Sequence, residues 1–216
     1  HPIVVHGGGK SISRTLRKEG IFSEFIQGLR VTCNKSIDVV EKVLNQEINP
    51  YIVDSLLKYN GKARGIHGED IFKTKQLVRY DVASGEEIKW GFVGEVTSVD
   101  TEPIIAYTNS DIIPIVTPLG RDRKGQIYNI NADAAAMHLA CALKARKLVF
   151  LTDVPGLLRN HDDPNSLISS LHLNEVEELI NLGVIKGGML PKIRGMANAV
   201  KNGIKKAHII DSSIPH

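Results

Sequence analysis

The chain has 216 residues, 42% of them hydrophobic and 24% charged. That balance excludes a disordered chain, a collagen-like repeat and a disulfide scaffold, and the length suffices for a full core. Lys and Arg number 27 against 24 Asp and Glu, and the formal charge of +3 is too small and too dispersed to argue for nucleic acid as a partner. No apolar run is long enough to span a membrane, and no signal peptide is legible. The chain opens on His1-Pro2 and runs straight into an apolar strand, so both ends read as cut from something longer. Cys33 and Cys141 form no short-spaced pair and read as buried thiols in a reducing compartment.

Short Val-, Ile- and Leu-rich runs alternate with amphipathic stretches. A strand over residues 3–5 feeds Val4-Val5-His6-Gly7-Gly8-Gly9-Lys10, and a helix follows over 11–19. Glycines let backbone N–H groups approach a ligand, and a helix N-terminus adds partial positive charge, so the loop suits a phosphate or carboxylate. A plain turn needs one glycine rather than three. A Walker loop needs Gly where Val4 stands, and the dinucleotide fingerprint needs Gly where Ile12 stands. In Gly28-Leu29-Arg30-Val31-Thr32, the Arg30 guanidinium offers a fork for a carboxylate, although a loop Arg is most often simply solvated. Helices are expected over 36–46, capped by Ser36, and over 50–59, opened by Pro50 and stopped by Gly61.

A strand over 63–66 precedes a polar, Gly-containing region, 67–98, that reads as a hairpin-like insertion ending in a strand over 88–98. A helix over 102–109 and a strand over 112–116 come next. Tyr128-Asn129-Ile130-Asn131-Ala132-Asp133 opens a helix over 132–145. Capping and the helix dipole explain Asn131 and Asp133 but not Asn129. The strand 147–151 runs into Thr152-Asp153-Val154-Pro155-Gly156, either a Pro-Gly turn or a ligand crevice at a strand's carboxyl end. A helix over 175–182 precedes Lys186-Gly187-Gly188 and a helix over 191–202, stopped by Gly203; a strand over 207–210 closes the series. Lys192 and Arg194 in a first helical turn oppose the macrodipole, which makes sense if a polyanion binds there. The eight His show no metal spacing, so no protein-held metal is expected. The alternation argues for α/β architecture with a mostly parallel sheet covered on both faces.

In this order VVHGGGK, GLRVT with DVVEKVL, GFVGEVTSV, YNINADAAA, LVFLTDVPGLL, GGMLPKIRGMANAV and HIID resemble the amino-acid kinase family, and within it the branch that phosphorylates N-acetyl-L-glutamate. The resemblance implies a three-layer αβα sandwich around a mostly parallel sheet, lacking the family's first strand and last elements. It implies one domain, with about 1–125 as a substrate-binding and dimerisation lobe and about 126–216 as an ATP-binding lobe. Gly8, Gly9, Arg30 and Asn129 would bind the acyl amino acid. Asp133 would organise the catalytic lysines, and Lys192 would stabilise the transferred phosphoryl. Asp153, Val154, Pro155, Gly156, Leu157 and Leu158, with Val184, Ile185 and Lys186, would surround ATP, whose phosphates carry Mg²⁺. A homodimer (a hexamer in the intact protein) without nucleic acid or membrane partners is implied, in the cytoplasm or, in a plant or alga, the plastid stroma. The place in metabolism would be the second step of arginine biosynthesis.

The chain departs from the family pattern at several points. The family's first strand carries a Lys-Gly-Gly lysine to which Lys10 is not equivalent. Pro50 stands where an Asn-Lys pair would place Lys, Lys89-Trp90 replace an acidic-apolar pair, and Ser212-Ser213 replace Gly-Arg. A sibling kinase for another acidic acceptor, such as carrier-linked aminoadipate, and a module that binds without catalysis are the alternatives.

Overall fold

The structure is a computed structural model and describes residues 1–214. Backbone contacts divide the chain into two units between Ala135 and Ala136.

The first unit begins with β1 (Val4–Val5) and α1 (Gly9–Lys18). Ile12 and Leu16, four residues apart, form the buried face of α1. The helix ends in a Schellman turn, with Gly20 at φ 68 and Ile21 N–H donating to the Leu16 carbonyl at 2.9 Å. A hairpin of β2 (Phe25–Ile26) and β3 (Leu29–Arg30) follows, joined by a two-residue turn with Gln27 at φ 52 and Gly28 at φ 79. Two consecutive positive φ angles match the right-handed twist of the strands.

Next come α2 (Asn34–Lys42), a π-helical segment (Val43–Ile48) and α3 (Asn49–Lys58) without a break. The sequence leads one to expect two helices separated before Pro50. Instead the wider π turn precedes Pro50, whose ring and missing N–H would disrupt regular α-helical bonding. Ser36 is not the cap. The helix starts two residues earlier, and the Ser36 hydroxyl donates to the Cys33 carbonyl from within the first turn at 3.0 Å. Cys33 is exposed and Cys141 half-buried, correcting the expectation of two buried thiols. Asn60 (φ 59), rather than Gly61, takes the left-handed stop position after α3.

β4 (Ala63–Ile66), α4 (Gly68–Ile71), β5 (Phe72–Gln76), β6 (Gly94–Val99), α5 (Glu102–Asn109), β7 (Ile113–Val116), β8 (Leu119–Arg121) and β9 (Ile127–Asn129) complete the unit, with the first turn of α6 (Ala132–Ala142). β1, β7 and β4 form a parallel sheet in the order β1-β7-β4. A mixed sheet runs β6-β5-β8-β9. The insertion is hairpin-like, since β5 and β6 pair antiparallel. Its second strand begins at Gly94 rather than residue 88, because Gly91 at φ 70 interrupts the extended run. Leu16, Val40, Val43, Leu44 and Leu119 are fully buried in one apolar cluster of this unit.

The second unit holds the rest of α6, then β10 (Lys147–Thr152), α7 (Val176–Asn181), α8 (Met189–Lys201) and β11 (Lys206–Asp211). β10 and β11 pair in parallel from Lys147↔Lys206 to Thr152↔Asp211. Phe150, Leu179, Ile185, Ile193 and Ala199 are among the residues of its core. The α/β class, with largely parallel strands and flanking helices, is that expected from the alternation. No described helix is long and apolar enough to cross a membrane.

Candidate functional site

Strand β1 delivers the chain into Gly7-Gly8-Gly9, where Gly8 is the residue before α1 and Gly9 its first residue. The first turn of α1 carries no acidic residue, so its N–H groups and dipole stay available to an anion. A cavity of about 170 Å³ opens here, lined by Gly8, Gly9, Arg30 and Asn129 together with Phe25 and Val93. The structure therefore brings together all four residues expected to bind the acceptor, from β1–α1, the β2–β3 hairpin and β9.

Arg30 is only 6% exposed. Its guanidinium donates to the Gly9 carbonyl at 3.0 Å, to Ser13 Oγ at 2.8 Å and to Ser23 Oγ, and lies 4.5 Å from the Phe25 ring centroid. Burial holds its pKa below the ordinary value for arginine, though the group stays charged at neutral pH. Among the described residues no carboxylate pairs with it. A buried cation without an anion is costly, and an anionic ligand would relieve that cost.

The two glycines behave differently. A Cβ on Gly8 would lie 2.8 Å from Ile48 Cδ1 and 2.9 Å from Leu44 Cδ2, whereas a Cβ on Gly9 would meet nothing within 4 Å. Gly8→Ala is expected to lower stability by about 1–3 kcal/mol through overpacking. Gly9→Ala is expected to leave the stability within about 0.5 kcal/mol of wild type, read as a nearly unchanged denaturant midpoint, and to weaken anion binding at the cavity. Equal midpoints for the two variants would contradict this distinction.

His6 is buried beneath the loop. Asn49 Nδ2 donates to the Ile115 carbonyl at 2.8 Å and sits 3.2 Å from His6 Nε2. An amide nitrogen can only donate, so Nε2 accepts and Nδ1 carries the proton, which it donates to the Gly7 carbonyl at 3.0 Å. Burial lowers the His6 pKa below 6.5, with the Gly7 bond opposing. The unfolded chain then binds more protons below pH 6.5. The His6 contribution to stability is complete above that pH and is lost as the pH falls towards the native pKa. Urea midpoints at pH 7.5 and 5.5 are expected to differ more for the wild type than for His6→Gln. An unchanged difference would rule out His6 as its source.

Asp133 lies in the first turn of α6, where Asn131 Oδ1 accepts from Ala134 N–H at 3.1 Å and so caps the helix as expected. In the second unit Lys192 is half-buried, with Nζ 4.7 Å from the Phe150 ring centroid. Helix α8 begins at Met189 rather than residue 191. Lys192 therefore closes the first turn, and Arg194 stands in the second, 3.8 Å from Glu177. The dipole argument from the sequence is correspondingly weaker for Arg194. Asp153, Val154, Pro155, Gly156, Leu157 and Leu158 follow the carboxyl end of β10, and Leu157 is buried. A cavity of about 740 Å³ is lined by Pro155, Gly156 and Leu157 with Met196 and Ile209, but not by the other expected nucleotide residues. Ile185 is a core side chain, so only its backbone is free to face a ligand.

Residues 1–211 match the profile described as the Amino acid kinase family. An acetylglutamate kinase from Carboxydothermus hydrogenoformans is 47% identical across all of this chain and 75% of its own length. One from Archaeoglobus fulgidus is 45% identical across all of this chain and 76% of its own. A crystal structure from Streptococcus mutans UA159 aligns with a TM-score of 0.84 at 29% identity, covering 97% of this chain and 81% of that one.

Proposed function

The chain belongs to the amino acid kinase family of phosphotransferases, and from that membership we propose that it phosphorylates the side-chain carboxylate of N-acetyl-L-glutamate, with ATP as donor. The observation that carries this reading is buried, carboxylate-free Arg30 beside the glycine loop and Asn129.

The acceptor carboxylate has an ordinary pKa near about 4.3 and is already ionised at neutral pH. It needs no general base. It needs relief of the repulsion between an anionic nucleophile and a polyphosphate, and it needs in-line alignment. In this reading Arg30 and Asn129 orient the acyl amino acid, while Gly8 and Gly9 present amides to developing negative charge. Lys192 stabilises the transferred phosphoryl, and Asp133 orients the cationic side chains. Asp153, Val154, Pro155, Gly156, Leu157 and Leu158, with Val184, Ile185 and Lys186, take the nucleotide, whose Mg²⁺ neutralises phosphate charge. An acceptor oxygen forms a bond to the γ-phosphorus as the bond to ADP breaks, giving an acyl phosphate and ADP. We further propose a homodimer acting in arginine biosynthesis, in the cytoplasm or, in a plant or alga, the plastid stroma.

The test is a hydroxylamine trap. N-acetyl-L-glutamate with ATP is expected to give a hydroxamate in step with ADP release, and free glutamate to give none. Hydroxamate from glutamate alone would overturn the acceptor assignment.

A further inference from the structure

Arg30 and Asn129 are 99 positions apart in the sequence, yet one residue ties them together. Thr32 is fully buried, and its hydroxyl donates to the Arg30 carbonyl at 3.0 Å while accepting from Asn129 Nδ2 at 3.2 Å. Its backbone is fixed as well. Thr32 N–H donates to the Trp90 carbonyl at 2.9 Å, and Phe92 N–H donates to the Thr32 carbonyl at 2.7 Å. The Phe92 carbonyl in turn accepts from Asn129 N–H at 2.9 Å. Trp90 reaches back to the hairpin, its indole N–H donating to the Ile26 carbonyl at 3.0 Å. Gly91 allows the close approach, since a Cβ there would stand 2.3 Å from the Thr32 carbonyl oxygen.

The segment from Trp90 to Phe92 is thus a brace with Thr32 at its centre. One side holds the hairpin that carries Arg30, and the other holds Asn129. We infer that Thr32 is a positioning residue for acceptor binding: its hydroxyl sets the Asn129 amide against the Arg30 backbone, so that both side chains meet one acidic ligand. This inference rests on the functional reading above. Thr32 touches no ligand itself. It lies outside the cavity lining and acts through its two neighbours. A hydroxyl that both donates and accepts is required, which valine lacks and serine keeps.

The test compares Thr32→Val, which keeps the shape, with Thr32→Ser, which keeps the hydroxyl. Two readouts are taken on each folded protein: the nuclear magnetic resonance signals of the Asn129 side-chain amide without ligand, and the calorimetric Kd for N-acetyl-L-glutamate. Thr32→Val is expected to shift the Asn129 amide signals and speed their exchange, and to weaken acceptor binding about tenfold, the scale of one or two lost hydrogen bonds. Thr32→Ser is expected to stay within about twofold of wild type in Kd, and the affinity for an ATP analogue to hold in both. Loss in both variants to the same degree would mean that Thr32 only fills space, and the inference would fall. Wild-type behaviour of Thr32→Val in both readouts would overturn it too. If the Asn129 amide depends on the hydroxyl but the wild type binds no N-acetyl-L-glutamate, the brace stands and the functional reading falls. Should Thr32→Val not fold, Trp90→Phe reads the brace from its other end. Faster hydrogen exchange over residues 25–30 with weaker acceptor binding supports the brace, and unchanged values overturn it.

Discussion

Arg30→Ala is expected to weaken N-acetyl-L-glutamate binding by about 10²–10³-fold and to leave nucleotide affinity within about threefold. The scale is that of removing one partner of a buried, hydrogen-bonded charge pair, about 2–5 kcal/mol. Burial matters because a solvated Arg at the same place would be worth about 1 kcal/mol or less. Arg30 also joins the hairpin to α1 through the Gly9 carbonyl and Ser13, so part of any loss could come from a loosened hairpin. Arg30→Lys separates the two causes. It keeps the charge but not the planar fork, and an affinity between those of wild type and Arg30→Ala is expected. Calorimetry with each ligand alone reads both effects. An unchanged acceptor Kd in Arg30→Ala would remove Arg30 from the site.

Lys192→Ala is expected to lower kcat by about 10²–10³ and nucleotide affinity by only a few-fold. The magnitude is taken from the loss of one preorganised donor to a developing oxyanion. Loss of a group that acts mainly in the transition state lowers kcat without a matching change in binding. The ammonium now rests 4.7 Å from the Phe150 ring centroid, where the ring face partly compensates for lost hydration. Lys192→Arg keeps a cation there but changes its shape, and is expected to recover little activity. Equal losses in kcat and in nucleotide affinity would make Lys192 a nucleotide-binding residue instead.

Much of the scaffold was legible from periodicity. β1, β4, β7, β10 and β11 each fell within a residue or so of its expected place. Apart from β1, which lies inside the apolar run 3–5, the short strands were not legible. β2 and β3 have two residues each, and β8 and β9 have three, too few to show an alternating pattern. Gln27-Gly28 was the available signal for the first hairpin, because glycine after a polar residue suits a turn with two positive φ angles. The continuous run through Pro50 was hidden for a different reason. Proline normally marks a helix start, and nothing in the local sequence announces a π turn.

The site divides in the same way. Gly8 and Gly9 stood out as an excess of glycine and Asn129 as an amide with no cap to make, whereas Arg30 read as an ordinary loop cation until the family resemblance singled it out. Their supports did not stand out. Thr32, Trp90, His6 and Asn49 act through contacts across 40 to 100 residues, and each is an ordinary residue in its own stretch. Trp90 alone carried a hint, as a departure from the family pattern. Sequence reading finds groups that are chemically out of place locally; it does not find the hydrogen bonds that hold them.

The most direct test of the account is a calorimetric titration of this chain with N-acetyl-L-glutamate, with free L-glutamate as control, in Mg²⁺ and a non-hydrolysable ATP analogue. The account predicts saturable heat for the acetylated acid and none for glutamate. No heat from either acid, in a chain shown by circular dichroism to be folded, would contradict the assignment of the Arg30 cavity as an acylated amino-acid site.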